Sequence, residues 1–84
     1  MVFLFDVPGA YAFWMKDTLV PLDILWLRDG KIVDLATLPA VLPGGAPALH
    51  RPTVLADRVV ELPAGAVVEL GITVGDPVFF GAGI

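Results

Sequence analysis

Cysteine and serine are both absent from this chain of 84 residues, and histidine occurs once, at His50. Without cysteine there are no disulfide staples and no cysteine-based zinc site, and one histidine rules out a site that draws two imidazoles from a single chain. Without serine or cysteine, neither a Ser-His-Asp nor a Cys-His arrangement can be assembled. Thr18, Thr37, Thr53 and Thr73 are the only aliphatic hydroxyls, and threonine is an uncommon nucleophile. No cofactor is expected, and nothing in the spacing of the carboxylates argues for a metal.

Charge is also scarce. Only 17% of residues are charged, against 57% hydrophobic, and the net charge is -4. Five Lys and Arg, spread from Lys16 to Arg58, make no basic patch of the kind a phosphate backbone requires, so nucleic acid is not an expected partner. The apolar stretches are broken by Asp6, Lys16, Asp23 and Arg28, and none reaches the ~20 residues that span a bilayer. No export signal is visible at the N-terminus. As given, the chain reads as cytoplasmic, whereas an upstream segment would make an exported or periplasmic protein an open alternative. The apolar fraction exceeds what so small a body easily buries, which predicts a covered surface and a homo-oligomer, a dimer in the simplest case.

What is present reads as a single α+β domain, 1–84, mostly β. The pattern predicts a small curled antiparallel or mixed sheet, or partial barrel, of about five or six strands with one short helix. Val2 to Phe5 reads as a strand closed by a turn at Asp6-Val7-Pro8-Gly9, and Ala10 to Met15 as a second extended piece. Leu22 to Leu27 and Lys31 to Leu38 flank Arg28-Asp29-Gly30, a hairpin signal because both turn positions of an Asp-Gly pair accept positive φ. Four prolines and Gly44-Gly45 make residues 39–52 a long loop. Thr53 to Leu62 reads as a strand with Val54, Ala56, Val60 and Leu62 on one face. Pro63 would open a helix from Ala64 to Leu70, capped at Gly71 and held by Val67 and Leu70. Glu61 would cap its start or bond Arg58. Val74-Gly75-Asp76-Pro77 is a turn into a last strand, Val78 to Phe80.

The most informative phrase runs from Phe13 through Ile24, Phe-Trp-Met-Lys-Asp-Thr-Leu-Val-Pro-Leu-Asp-Ile, because it sets a lysine, two aspartates and a threonine among apolar residues. Polar groups in such surroundings must be paired or they cost free energy. With the Asp29-Gly30-Lys31-Ile32-Val33 hairpin, Glu61-Leu62-Pro63-Ala64-Gly65 and the run from Leu70 to Asp76, this phrase resembles the uncharacterised family known as domain of unknown function 192 (DUF192). The resemblance covers nearly the whole chain and implies no particular reaction. Two departures stand out. The family usually has asparagine where this chain has Asp17, and it typically opens with a strand and a short helix, against which this chain reads as N-terminally short. A late start, or self-association over the surface that segment would cover, accounts for the second.

Candidate site residues follow from the same phrase. Lys16, Asp17 and Asp23 can form a charged cluster that grips a polar ligand at a pocket mouth. The structural alternative is a polar knot that fixes the turn from Thr18 to Leu22. Trp14 and Trp26, with Phe13 and Tyr11, either line a ligand groove or belong to the core. His50, in the proline-rich loop, could meet Asp57 or Asp17 and act as acid or base. Gly71-Ile72-Thr73-Val74-Gly75-Asp76 lacks the P-loop lysine and follows the helix, so its glycines are better read as a cap and a turn.

Three functions fit. The first is a non-enzymatic domain binding a small polar ligand or a protein partner through Trp14, Lys16, Asp17, Asp23 and His50. The second is an acid/base enzyme on a polar metabolite or carbohydrate, using Asp23 or Asp17 with Lys16 and His50. The third is a homodimeric assembly module.

Overall fold

The hairpin around Arg28-Asp29-Gly30 forms as expected and is the middle of the fold. Asp29 and Gly30 both take positive φ, 51° and 79°, the mirror-image turn whose twist matches that of the flanking strands. The computed structural model describes residues 2–14, 20–46 and 49–79. They form β1 (Val2–Gly9), β2 (Phe13–Trp14), β3 (Leu22–Arg28), β4 (Lys31–Leu38), β5 (Leu49–His50), β6 (Ala56–Pro63) and α1 (Ala66–Leu70). Four strands make a sheet in the order β1-β6-β3-β4, and β2 pairs with β5 in a separate two-stranded ribbon. Every pairing is antiparallel. The sheet stays open, with β1 and β4 at its edges, so the curl does not close into a barrel.

Side-chain alternation along β3 divides the core between the two faces of the sheet. Ile24 and Trp26 face one way, packed with Leu38, Ala56 and Val59 and flanked by Phe3 and Phe5. Leu25 and Leu27 face the other way, with Ile32 and Val60, flanked by Val67, Ile72 and Val78. A strand with apolar residues on both faces reads as a near-continuous apolar run, which is how Ile24-Leu25-Trp26-Leu27 reads.

Several sequence expectations need correction. β1 does not turn at Pro8-Gly9 but continues through it, with its register shifted between Leu4 and Gly9. An edge strand at an irregularity is where a strand can hold proline, because no ladder bond is lost. The same shift lies opposite Ala56 to Arg58, so β6 changes faces. Ala56 and Val59 join one half of the core and Val60 and Leu62 the other, and the single face expected from Val54 to Leu62 does not exist. Pro63 ends β6 instead of opening the helix, and Leu70 is 69% exposed, so it does not hold α1. The strand expected from Val78 reduces to one bridge, Pro77 with Lys31, beside a bond from the Val78 amide to Gly30 O. Phe80 lies outside the described residues. Inside the long loop, Leu49–His50 forms β5, against β2.

At the C-terminus of α1, Gly71 behaves as expected. It takes φ 65°, its amide bonds Val68 O at 3.2 Å, and the Ile72 amide bonds Val67 O at 2.9 Å. These are the two bonds of a Schellman cap. The turn expected from Val74 to Pro77 forms one residue earlier, over Thr73 to Asp76, where the Asp76 amide bonds Thr73 O and the Thr73 amide donates to Asp76 Oδ2 at 2.8 Å.

Candidate functional site

β2 and β5 pair through Phe13 with His50 and Trp14 with Leu49, which sets the histidine at the seam between the ribbon and the sheet. Across that seam the His50 Nε2 lies 3.0 Å from Asp34 Oδ2, with the two side chains 33% and 23% exposed. Asp34 sits on β4 opposite Trp26, and its Oδ1 accepts the Leu35 amide at 2.8 Å. The Trp26 ring is tilted at 44° to the imidazole, with ring centroids 4.9 Å apart. Trp26 is wholly buried, and its Nε1 donates to Tyr11 O at 2.8 Å. Tyr11 is held in turn: its ring stacks on Phe5 at 3.8 Å and its hydroxyl donates to Val7 O. At Gly9 a Cβ would stand 2.9 Å from the Tyr11 ring, so a larger residue there would displace the ring. The result is a polar pair of partial exposure on a rigid aromatic support.

Asp23 is built differently. It is 1% exposed, and both of its oxygens are engaged. Oδ1 accepts the Thr37 hydroxyl at 2.6 Å, and Oδ2 accepts the amides of Gly65 at 3.0 Å and Val67 at 2.9 Å. Those amides belong to the opening turn of α1, whose Gly65 N-cap has no side chain to satisfy them. A carboxylate from β3 therefore serves as the cap. Burial pushes the Asp23 carboxyl up, but the Thr37 hydroxyl and the Val67 and Gly65 amides outweigh it and leave its pKa below the ordinary 3.8.

Among the described residues, those singled out from sequence lie on both faces of the sheet. Asp23 shares its face of β3 with Leu25 and Leu27, whereas Trp26 and His50 lie on the other face. Trp14 lies in the same ribbon, where its backbone pairs with Leu49. Lys16 and Asp17 lie outside the described residues. Of the two partners expected for His50 only Asp57 is among the described residues, and it accepts the Asp29 amide at 3.2 Å, near the hairpin tip. The residue that does meet His50, Asp34, was not anticipated, nor was Thr37 as the partner of Asp23. Both are polar interruptions in the apolar run of β4 and carried the same signal as Asp23 on β3. An apolar cleft of about 430 Å³ lies on the Asp23 side, between Leu25, Ile32, Val60, Ile72 and Val78, and neither Asp23 nor His50 lines it. Among the described residues no group of three or more His, Cys, Asp or Glu could hold a metal ion. None of their helices is long and apolar enough to cross a membrane.

Fold and site together define a small, mostly β open-sheet domain with, among the described residues, one short helix and a histidine–carboxylate pair at a seam. The chain belongs to the DUF192 family, described as "Uncharacterized ACR", whose pattern it matches over residues 1–80. It is also similar to a protein of unknown function from Novosphingobium aromaticivorans, solved by crystallography. The two share 32% identity over 95% of this chain, with a TM-score of 0.76. This chain spans 56% of that protein's length. No curated protein matches it.

Proposed function

We propose that this domain is a non-enzymatic binding module that takes a small polar ligand at the seam between ribbon and sheet. The supporting observation is the His50–Asp34 pair, 3.0 Å apart and part-exposed, set on the Trp26 ring in a chain with little charge to spare. Trp14 belongs to the same ribbon, and Lys16 and Asp17 follow it two and three residues further along the chain. Asp23 is left out of it, because its oxygens are enclosed on the opposite face. That separation also counts against an acid/base pair of Asp23 with His50, since general acid and base must reach one substrate.

A screen of polar metabolites by thermal shift tests the reading. A ligand present at 100 times its Kd stabilises the folded state by about 2.7 kcal/mol, and His50→Ala is expected to remove that gain while the unliganded domain keeps its melting temperature to within a few degrees. A ligand whose effect survives His50→Ala sinks the assignment.

The exposed apolar residues favour a second reading, assembly. β1 is an edge strand that turns Leu4 and Val7 outward, 69% and 68% exposed, and an apolar edge is a template for pairing with another strand. Light scattering at micromolar concentration should then give twice the chain mass, and Leu4→Lys should return it to one. A wild-type monomer at that concentration rules this reading out.

A further inference from the structure

We infer that Asp34 is the positioning residue of the seam: it holds the His50 ring with its proton on Nε2, so that Nδ1 presents a lone pair and the site selects a ligand group that donates a hydrogen bond. The ligand half of this inference rests on the binding role proposed above, and the half that concerns the ring does not.

The argument begins with what a carboxylate can do. It only accepts hydrogen bonds. Asp34 Oδ1 takes the Leu35 amide at 2.8 Å, and Oδ2 faces His50 Nε2 at 3.0 Å, so the hydrogen in the second contact must come from the imidazole. A neutral imidazole has one N–H. With that proton committed to Nε2, Nδ1 is an acceptor. The ring cannot easily turn to exchange its nitrogens, because Trp26 stands 4.9 Å away with its own Nε1 fixed on Tyr11 O, and because the His50 backbone is paired to Phe13. A carboxylate that fixes the tautomer of a functional histidine recurs in metal sites and catalytic triads, where the distant nitrogen does the work.

The ligand chemistry follows from the polarity of Nδ1. A neutral hydroxyl or amine N–H can bond it, as a polyol or a sugar would. An acceptor-only anion finds no donor on the neutral ring, and the net charge of -4 opposes it further.

Replacing Asp34 by asparagine should reverse the arrangement. The Leu35 amide still requires an acceptor, which keeps the new carbonyl oxygen where Oδ1 stands now and turns the new NH2 group toward His50. That group donates, so Nε2 must accept and the proton must move to Nδ1. A mutation that merely loosened the fold would not invert a tautomer.

The test is nitrogen NMR of the labelled protein at about pH 8, above the ordinary imidazole range near ~6.5. With one histidine in the chain, the ring signals need no assignment. The expected result is an Nε2-protonated ring in the wild type and an Nδ1-protonated ring in Asp34→Asn, with the backbone amide spectrum showing that the variant is folded. An Nδ1-protonated or evenly mixed ring in the wild type overturns the positioning role, and that outcome does not depend on the variant folding. Glycerol and acetate are then titrated as probes. Glycerol should move the wild-type Nδ1 resonance and acetate should not, and Asp34→Asn should reverse that order. Acetate as the preferred probe of the wild type overturns the donor selection. If neither probe moves the resonance, the donor selection falls together with the binding role proposed above, and the tautomer still decides the role of Asp34.

Discussion

Asp23→Ala should cost about 3–5 kcal/mol of folding stability, the range for removing one partner from a buried charged contact. Three donors lose their acceptor at once, the Thr37 hydroxyl and the Gly65 and Val67 amides, and a buried donor left unpaired costs ~1–3 kcal/mol by itself. A folded chain of 84 residues has roughly 4–13 kcal/mol in total. The variant should therefore melt tens of degrees lower, with α1 losing its amide protection from hydrogen exchange first, since no residue of that helix is buried. Asp23→Asn keeps an acceptor and should cost less. The pH dependence carries the same signature. Because the folded carboxyl lies below its ordinary 3.8, the stability it adds is fully present above the unfolded value and is lost as the pH falls through the folded one. Denaturation followed from pH 6 downward should show that loss setting in below about pH 4, and Asp23→Ala should flatten that limb. Wild-type stability on that limb, once unchanged by the substitution, would mean that Asp23 caps nothing of consequence.

Trp26→Ala is the second large effect. The ring is wholly buried between Ile24, Val59 and their neighbours, and truncating a core tryptophan costs ~3–5 kcal/mol through lost transfer energy and the cavity left behind. It also leaves Tyr11 O without its donor. Trp26→Phe separates the two contributions. It retains most of the volume and loses the Nε1 bond, so a cost of about 1–2 kcal/mol is expected, with the Phe5–Tyr11 stack loosened at the same time. Because the ring also supports His50, the histidine signals should broaden in Trp26→Phe even where the sheet stays intact. Urea unfolding of the two variants, read for midpoint and slope, checks the ranking. Equal costs would place the stabilisation in the hydrogen bond and not in the packing.

Both effects arise from polar atoms whose partners are distant in sequence, and this marks how far the sequence could be read. The hairpin was legible because Asp29-Gly30 sits between two apolar runs and its turn chemistry is local. The cap at Gly71 and the turn at Gly75 were legible for the same reason, each needing only positive φ at one residue. The proline at position 8 misled, because proline ends a central strand but is harmless at an edge, and nothing in the residues around it says which strand is the edge. Among the candidate residues, Asp23 reads as a polar group that needs partners, and those partners come from 14, 42 and 44 residues away. Asp34 escaped notice although it interrupts an apolar strand in the same manner.

By itself the sequence determined the class of the molecule. Its composition excludes disulfides, cysteine-bound zinc and a Ser-His-Asp set built from these 84 residues, and its turn residues mark the hairpin and the helix end. Only the tertiary structure decided which side of the sheet each charge occupies. Asp23 and His50 both belong to the same short list of polar residues, yet alternation along β3 and the pairing of β5 with β2 put them on opposite faces. The physical reason is that a strand's side chains point alternately to two faces, while the identity of what covers each face comes from strand order and register. Those are set by contacts between segments far apart in the chain, and local residue preference does not encode them.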